Sequence, residues 1–159
     1  MTLAYVALGS NLGDSRQQVL AAIDALDALP ATRVLQRSPL YLTPPWGVLE
    51  QPPFINAVVA LDTELLPEPL LDALLQIESK AGRVRAERNG PRTLDLDLLY
   101  MEGVIRADGR LTLPHPRMAE RAFVLLPLSA IAPTLEIPGQ GTVCALLERL
   151  DASGCERLP

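Results

Sequence analysis

The 159-residue chain has few of the residues that mark several common classes of protein. Its single lysine, Lys80, does not complete the phosphate-binding pattern G-x-x-x-x-G-K-[ST], which excludes a lysine-containing phosphate loop. Its two cysteines, Cys144 and Cys155, lack the spacing of metal ligands and are interpreted as free thiols. No apolar run reaches membrane-spanning length, and no signal-peptide pattern opens the chain. A reduced cytoplasmic enzyme is therefore expected.

Basic charge is also scarce, and much of it lies in one place. The net charge of -5 and the pI of about 4.9 are poorly suited to non-specific nucleic-acid binding. Arginines concentrate instead between Arg83 and Arg92, which indicates a compact polyanionic ligand such as a nucleotide. Apolar residues make up 48% of the chain, which favours a folded chain over a disordered one. The length suits one domain over residues 1–159.

The order of the predicted elements indicates the fold class. Strands are predicted over residues 3–9, 32–38, 55–61 and 93–100, with helices after a cap at Asp14 and over 67–81. Consecutive strands imply an antiparallel pair, so the class is α+β with a ferredoxin-like βαββαβ core: a mostly antiparallel sheet with helices packed on it. Beyond it, short strands are predicted at 104–105 and 111–113. A helix over 120–131 with a kink or boundary at Pro127, and a short helix over 142–150, complete the pattern.

The most informative segment places the arginine-rich loop directly before two carboxylates. Residues 93–100 alternate like a strand, so Asp95 and Asp97 project from one face while the leucines between them enter the core. Two adjacent carboxylates repel each other unless a cation lies between them, and Mg²⁺ is commonly held by one or two carboxylates with waters and phosphate oxygens. Guanidinium groups match phosphate oxygens. The segment therefore predicts a Mg-nucleotide site for phosphoryl transfer.

Several other features allow two interpretations. The turn at residues 9–14 resembles a phosphate-binding turn, or is a tight turn before a capped helix. Trp46 is a stacking platform for a flat ligand or a cover for the core edge. The Asn56 amide reads the edge of a heterocycle or bonds to adjacent backbone. Glu78 is a functional group or a surface charge. His115, the only histidine, contacts phosphate or is structural.

A set of motifs in this order resembles one family. The motifs are ALGSNLGD at 7–14, YLTPP at 41–45, QP at 51–52, FINA at 54–57, IE at 77–78, GR at 82–83, GPRTLDLDL at 90–98, PHPRM at 114–118 and RAFVLLP at 121–127. They resemble the 6-hydroxymethyl-7,8-dihydropterin pyrophosphokinases of folate biosynthesis. The resemblance implies a ferredoxin-like fold and transfer of an intact diphosphate from ATP to the pterin hydroxymethyl group, with release of AMP. A monomer that binds no nucleic acid and no membrane is expected.

The resemblance also implies roles for individual residues. The catalytic set is Arg83, Arg92, Asp95 and Asp97, in which the two aspartates hold two Mg²⁺ ions and Asp97 assists deprotonation of the attacking hydroxyl. The ATP pocket is Glu78, Arg83, Arg85, Arg92, Leu98, Arg110, His115 and Arg121. The pterin pocket is Thr43, Pro44, Trp46, Phe54, Asn56 and Phe123. In that pocket Phe54 and Phe123 sandwich the ring, and Asn56 reads its polar edge.

The chain departs from the family pattern at three positions. Asn89 stands where better-known members carry a tryptophan that seals the pterin site, in a loop that is one residue shorter. Phe54 stands where a tyrosine can occur, and Leu75 replaces a polar nucleotide-contacting residue.

Two other functions are compatible with paired carboxylates on such a sheet. A nucleotidyltransferase would release pyrophosphate, and a nucleotide sensor would bind ATP without turnover.

Overall fold

The central feature of the computed structural model, which describes residues 1–45, 50–82 and 93–159, is an antiparallel sheet. Its long strands are β1 (Thr2–Ser10), β4 (Phe54–Thr63) and β5 (Asp95–Met101), and its shorter ones are β2 (Thr32–Arg37), β3 (Tyr41–Thr43) and β10 (Glu156–Arg157). The strand order is β10-β3-β4-β1-β5, with β2 also paired to β4. All of these pairs are antiparallel.

Strands β2 and β3 together act as one interrupted strand along the same edge of β4. Ser38 bridges the interruption, because its backbone N–H donates to the Val58 carbonyl at 2.9 Å and its hydroxyl accepts from the Val58 N–H at 2.9 Å. With this pair counted once, the chain runs β-α-β-β-α-β, and β1 is separated from β2 by the inserted β4. The α+β class and the ferredoxin-like core predicted from the sequence are confirmed.

Helices cover both faces of the sheet. Helices α1 (Ser15–Asp27) and α2 (Pro67–Lys80) pack on one face, where they form the first core with alternate residues of β1, β4 and β5. Helices α3 (Ala122–Ile131) and α4 (Val143–Leu147) cover part of the other face and form the second core. Each strand therefore sends alternate side chains to two different environments, and this division positions the site described below.

The first helix begins where its sequence predicts. The Asp14 carboxylate accepts from the backbone N–H of Gln17 at 3.2 Å, which satisfies one of the open donors at the helix start. Val19, Ile23 and Leu26 recur at helical spacing and are fully buried against the sheet. The packing of this stripe fixes α1 on the first face.

Several smaller elements differ from the sequence-based predictions. No strand forms at 104–105, where Ile105 is largely exposed, and the two-residue strands are β6 (Arg106–Ala107) and β7 (Thr112–Leu113). The predicted helix over 120–131 is a 3-10 turn at Met118–Glu120 followed by α3, and Pro127 lies inside α3 without ending it. The last helix is shorter than predicted, with Thr142 as its N-cap. Strands β3, β8 (Glu136–Ile137), β9 (Gly141–Thr142) and β10 were not predicted.

The helices carry no sign of a membrane span. Across residues 1–45, 50–82 and 93–159, none is long and apolar enough to cross a bilayer.

Candidate active site

Two carboxylates lie side by side on the sheet face that carries the second core. Asp95 begins β5 opposite Gly9 of β1, and Asp97 lies opposite Ala7. Both aspartates are half-buried, while Leu94, Leu96 and Leu98 are buried in the first core on the other side. The alternation expected from the sequence is therefore present, and it projects two negative charges from one stretch of strand. Such a pair is suited to hold a divalent cation together with phosphate oxygens.

An arginine faces this pair from the start of α3. The side chain of Arg121 is only 15% exposed, and its Nη1 lies 3.9 Å from Oδ2 of Asp97. Its Nε is buried and has no hydrogen-bond partner in the described part of the chain. Burial lowers the pKa of Arg121 while Asp97 opposes that shift, and a guanidinium nonetheless remains charged at neutral pH. A buried cation with an unused donor is suited to phosphate oxygens.

Phe123 lies beside this arginine. The Arg121 guanidinium carbon is 5.6 Å from the centre of the Phe123 ring, which is half-buried. That distance is within the range of a cation–π contact. The contact holds an aromatic face and a cation next to each other at the start of α3, so one side chain can face a flat ring while the other faces a phosphate.

His115 lies near the same site, where its surroundings favour the neutral imidazole. Its backbone N–H donates to the Leu99 carbonyl at 2.8 Å, and its Nδ1 accepts from the backbone N–H of Arg117 at 3.2 Å. Burial, and after it the charge of Arg121, lower the pKa of His115 from 6.5 to about 4, while Asp95 opposes the shift. The imidazole is therefore neutral at pH 7. With Nδ1 occupied as an acceptor, its Nε2–H is the group that can donate to a ligand.

The residues expected to contact the pterin lie on the same sheet face. Asn56 of β4 is 8% exposed, and its Nδ2 donates to Oγ1 of Thr43 at 2.6 Å. The amide thus binds a side chain, and the alternative of a bond to adjacent backbone is wrong for its amino group. Thr43 lies opposite Phe54 in the β3–β4 pair. The three side chains form a polar and aromatic patch that continues across β1 toward Asp95.

Gly9 separates this patch from the carboxylates. It lies opposite Asn56 on one side and opposite Asp95 on the other. A Cβ at this position would lie 2.6 Å from Oδ1 of Asn56, closer than side-chain atoms pack. The missing side chain leaves room for the Asn56 amide oxygen above Gly9, next to the strand that carries Asp95. This role of Gly9 was not predicted from the sequence, although a glycine inside a strand pattern often marks a close approach.

Glu78 is a buried residue and not a charge on the protein surface. It is 4% exposed in the last turns of α2, and its Oε2 accepts from the backbone N–H of Leu96 at 2.7 Å. The surface-charge interpretation is therefore wrong. Because β5 is the outermost strand on its side, this bond satisfies a backbone donor at the open edge and connects α2 to the strand that carries Asp95 and Asp97.

The remaining predicted residues are not all brought to one face. The Leu98 side chain is buried in the first core, so only its backbone can reach a ligand on the carboxylate face. Arg110 is exposed and forms ion pairs with Asp72 and Glu68 on α2. Pro44 follows Thr43 in an exposed position. Trp46, Arg83, Arg85, Arg92 and also Asn89 lie outside the described residues.

A second unpredicted contact supports the turn after β1. Asn11 is 3% exposed, and its Nδ2 donates to Oε1 of Gln51 at 2.8 Å and to the Pro52 carbonyl at 2.9 Å. The turn is thereby joined to the segment that leads into β4. Asn11 and Gln51 both lie in motifs singled out from the sequence, but their contact joins residues 40 positions apart and no local pattern predicts it.

In the part of the chain that the structure describes, the aspartate pair offers two carboxylates to a metal. Within 1–45, 50–82 and 93–159, no group of three or more acidic, histidine or cysteine side chains could enclose an ion. Two carboxylates fit a cation that completes its shell with phosphate oxygens and waters, as Mg²⁺ does. They do not fit a closed structural site of zinc, which requires four protein ligands.

The amino-acid sequence matches a family model over most of its length. The model described as 7,8-dihydro-6-hydroxymethylpterin-pyrophosphokinase (HPPK) matches residues 5–133. A 2-amino-4-hydroxy-6-hydroxymethyldihydropteridine pyrophosphokinase of Methylorubrum extorquens is 52% identical over 158 residues, which is 99% of both chains. One of the same name from Pseudomonas aeruginosa is 51% identical, covering 98% of this chain and 96% of the relative.

Solved structures show the same fold at much lower identity. A crystal structure of Plasmodium falciparum HPPK-DHPS with pteroate superimposes with a TM-score of 0.72 at 15% identity, covering 94% of this chain and 42% of that one. A structure of HPPK-DHPS in complex with substrates gives a TM-score of 0.72 at 14% identity, covering 93% and 43%. This chain thus spans less than half the length of those two-part proteins, and the likeness concerns the fold alone.

Proposed function

This chain belongs to the 7,8-dihydro-6-hydroxymethylpterin-pyrophosphokinase family, and we propose that Asp95 and Asp97 form the centre of its reaction. The reaction is the transfer of diphosphate to 6-hydroxymethyl-7,8-dihydropterin in folate biosynthesis. The donor is ATP, and its β- and γ-phosphates move together. The observation that carries the proposal is the row Asn56–Gly9–Asp95 across three neighbouring strands, because it joins a ring-reading amide to a phosphate-binding carboxylate pair on one face.

The row suggests how the two substrates lie relative to each other. A pterin held at its polar edge by Asn56 and against its faces by Phe54 and Phe123 extends its hydroxymethyl group over Gly9, toward the aspartates. Arg121 and the Nε2–H of His115 face the phosphates from the side of α3. The rigid sheet therefore holds the attacking oxygen near the β-phosphorus, which lowers the barrier by orientation.

The bond changes balance without a covalent intermediate on the protein. The pterin hydroxyl oxygen forms a bond to the β-phosphorus of ATP. The bond from that phosphorus to the α,β-bridging oxygen breaks, and AMP leaves with this oxygen. The hydroxyl proton is accepted at the Asp97 carboxylate, whose Oδ2 lies 3.9 Å from Nη1 of Arg121. Phosphoryl transfer depends mainly on positioning and charge neutralisation, so no protein nucleophile is required.

Asp95 and Asp97 would hold two Mg²⁺ ions together with the phosphate oxygens of ATP. When bound, such ions neutralise the charge that develops on the transferred group. Two half-buried carboxylates, one of them next to a buried arginine, have the donor set for this task. The arginines of the preceding loop, Arg83, Arg85 and Arg92, are assigned to the phosphates from the family motif.

The remaining ATP contacts are assigned in the same way. Glu78 supports the strand through Leu96, and the backbone at Leu98 faces the nucleotide. Arg110 reaches ATP after leaving Asp72. Trp46 and Pro44 complete the pterin side. We further propose that residues 1–159 act as one domain and as a monomer in the cytoplasm, because the two cores share the same sheet and both cysteines are free thiols.

The experiment that tests the reaction is nucleotide product analysis with ATP, Mg²⁺ and 6-hydroxymethyl-7,8-dihydropterin. AMP formed one-for-one with the pterin diphosphate supports diphosphate transfer. ADP would indicate single-phosphate transfer, release of pyrophosphate would indicate a nucleotidyltransferase, and ATP binding without turnover would indicate a sensor. Each of these three results contradicts the proposal.

The aspartates are tested by substitution. Asp95→Ala or Asp97→Ala should lower kcat by more than about 10³-fold, because a metal ligand and several kcal/mol of charge neutralisation are lost. The fold should persist, since one of two repelling carboxylates is removed. Asp24→Ala, on the exposed side of α1, is the matched control and should leave the rate unchanged. Near-normal turnover in either site variant would disprove the metal assignment.

A further inference from the structure

A second concave surface lies at the opposite edge of the sheet from the aspartates. It is a cleft of about 590 Å³ between α1, the break from β2 to β3, the end of α3 and the final strand β10. Strand β10 is the outermost strand on this side, whereas β5 with Asp95 is outermost on the other. Four strand spacings of about 4.8 Å separate these edges, which places the cleft roughly 19 Å from the carboxylates.

Three arginines from three different elements line the cleft. They are Arg16 of α1, Arg37 at the end of β2 and Arg157 of β10, and no aspartate or glutamate is among the lining residues. Arg16 donates to a main-chain oxygen of Pro159, the last residue of the sequence, at 3.3 Å. In the described part of the chain, Arg37 and Arg157 have no carboxylate within ion-pair distance. Arg33, by contrast, pairs with Asp62 at 3.5 Å.

This arrangement runs against the overall charge of the protein. The chain carries a net charge of -5, so positive side chains would ordinarily find carboxylate partners nearby. The three arginines of the cleft are exposed, so their guanidinium groups are accessible to an anion from solution. Planar guanidinium groups match phosphate and carboxylate oxygens in paired hydrogen bonds.

The floor of the cleft is apolar. Ile23 is fully buried beneath it, and half-buried Leu40 and Ile131 contribute to its walls. The volume falls within the range of small-molecule sites, and buried apolar lining with a few polar groups is their usual composition. The ligand that fits therefore has an apolar body that covers the floor and an anionic group that reaches the rim.

We propose that this cleft binds a small amphiphilic anion, a phosphate monoester or carboxylate attached to a flat apolar body, at a site separate from the aspartate pair. The proposal rests on the three arginines and the apolar floor. It is independent of the reaction proposed above, and its residues take no part in that reaction.

The test uses 1-naphthyl phosphate as the probe, added to the full chain with saturating Mg-ATP to block the nucleotide site. Methyl NMR of isoleucine- and leucine-labelled protein should show saturable shifts at Ile23, Leu40 and Ile131. Uncharged 1-naphthol should bind at least tenfold more weakly, because it lacks the group that the arginines bind. Shifts confined to the aspartate face, or equal affinity for the two probes, would overturn the proposal.

Substitution separates the arginines from unspecific contact. Arg37→Ala and Arg157→Ala should each weaken 1-naphthyl phosphate binding about tenfold and leave 1-naphthol binding unchanged. Arg33→Ala removes an exposed arginine of the same strand, β2, outside the cleft, and should change neither affinity. Thermal melting of each variant checks that the fold is intact. Wild-type affinity in both cleft variants would contradict the proposal even if the shifts in the wild type are saturable.

Discussion

The sharpest prediction concerns Gly9. Its replacement by alanine adds one methyl group, which should weaken the binding of pterin but not the binding of ATP. In Gly9→Ala the new Cβ would lie 2.6 Å from Oδ1 of Asn56, whereas ordinary contacts begin near 3.4 Å. The backbone of β1 is paired on both sides and cannot retreat. The Asn56 amide must therefore rotate away from Gly9.

Rotation of the amide has a cost that the structure allows us to assess. It breaks the 2.6 Å hydrogen bond from Asn56 Nδ2 to Thr43 Oγ1, inside a buried environment. Leaving such groups unsatisfied costs about 1–3 kcal/mol. A protein of this size loses roughly 2–4 °C in Tm for each kcal/mol, so a drop of about 2–12 °C is expected. The amide also loses its alignment with the ring edge, which should lower kcat/KM for the pterin by about 10–100-fold.

The assay compares the two substrates in the same variant. The KM and Kd for the pterin should rise strongly, while the Kd for Mg-ATP should stay within about twofold, since the aspartates keep their places. Gly109→Ala is the matched control, because a Cβ at Gly109 meets no atom within 4 Å and its φ is not positive. That variant should retain wild-type kinetics and stability.

A double variant tests whether the clash with Asn56 causes the loss of stability. Adding Asn56→Ala to Gly9→Ala removes the clash, so the Tm should recover relative to the single Gly9 variant while pterin affinity stays low. The interpretation would be refuted if Gly9→Ala bound the pterin with wild-type affinity, or if its ATP affinity fell as much as its pterin affinity. In either case the space above Gly9 would have no connection with the ring-reading amide.

Three further predictions address single groups. Ser10→Ala should keep or raise the Tm, because the buried Ser10 hydroxyl has no hydrogen-bond partner among the described residues; a loss of several degrees would contradict this. Glu78→Ala should lower stability by about 1–3 kcal/mol through the lost bond to Leu96, and Glu78→Gln should restore most of it; reduced ATP affinity at unchanged Tm would instead indicate direct nucleotide contact. Because the folded pKa of His115 is lowered from 6.5 to about 4, its contribution to stability is complete above pH 6.5 and is lost as the pH falls toward 4, by up to roughly 3 kcal/mol. Unfolding of wild type and His115→Gln between pH 7 and 4, without metal, measures that loss, and an NMR titration midpoint near 6.5 for this only histidine would disprove it.

The sequence was sufficient for the long elements because their signals are local. Alternation in β5 and helical spacing in α1 follow from residues close together in the chain, and the Asp14 cap lies next to the helix that it begins. Strands of two or three residues are too short to alternate, so β3 and β10 could not be recognised. Their pairing joins Tyr41 to Arg157, at a separation over which no local pattern extends. The strand predicted at 104–105 was wrong for the same reason, since two apolar residues do not define a strand.

The candidate site also contains some features that the local sequence predicts and others that depend on residues distant in the sequence. The paired aspartates could be predicted, because their spacing of two residues sets their direction in any strand. The role of Gly9 could not, since it depends on Asn56 facing it from another strand. Glu78 was equally ambiguous in the sequence. Its helical position allowed exposure, and its burial results from β5 leaving an open N–H at the sheet edge.

The two faces of the sheet therefore have different tolerances to substitution. On the first face, alternate residues of β5 such as Leu96 and Leu98 are buried in the first core, so a change in their volume alters stability before it alters chemistry. On the second face, Asp95 and Asp97 are only half-buried, which leaves room for substrates. A ligand that binds on the second face contacts side chains of β5. Packing on the first face already holds the backbone of that strand in place. The sheet thus supplies a rigid site at little conformational cost, because the residues that stabilise β5 and those that meet the ligand alternate along one strand.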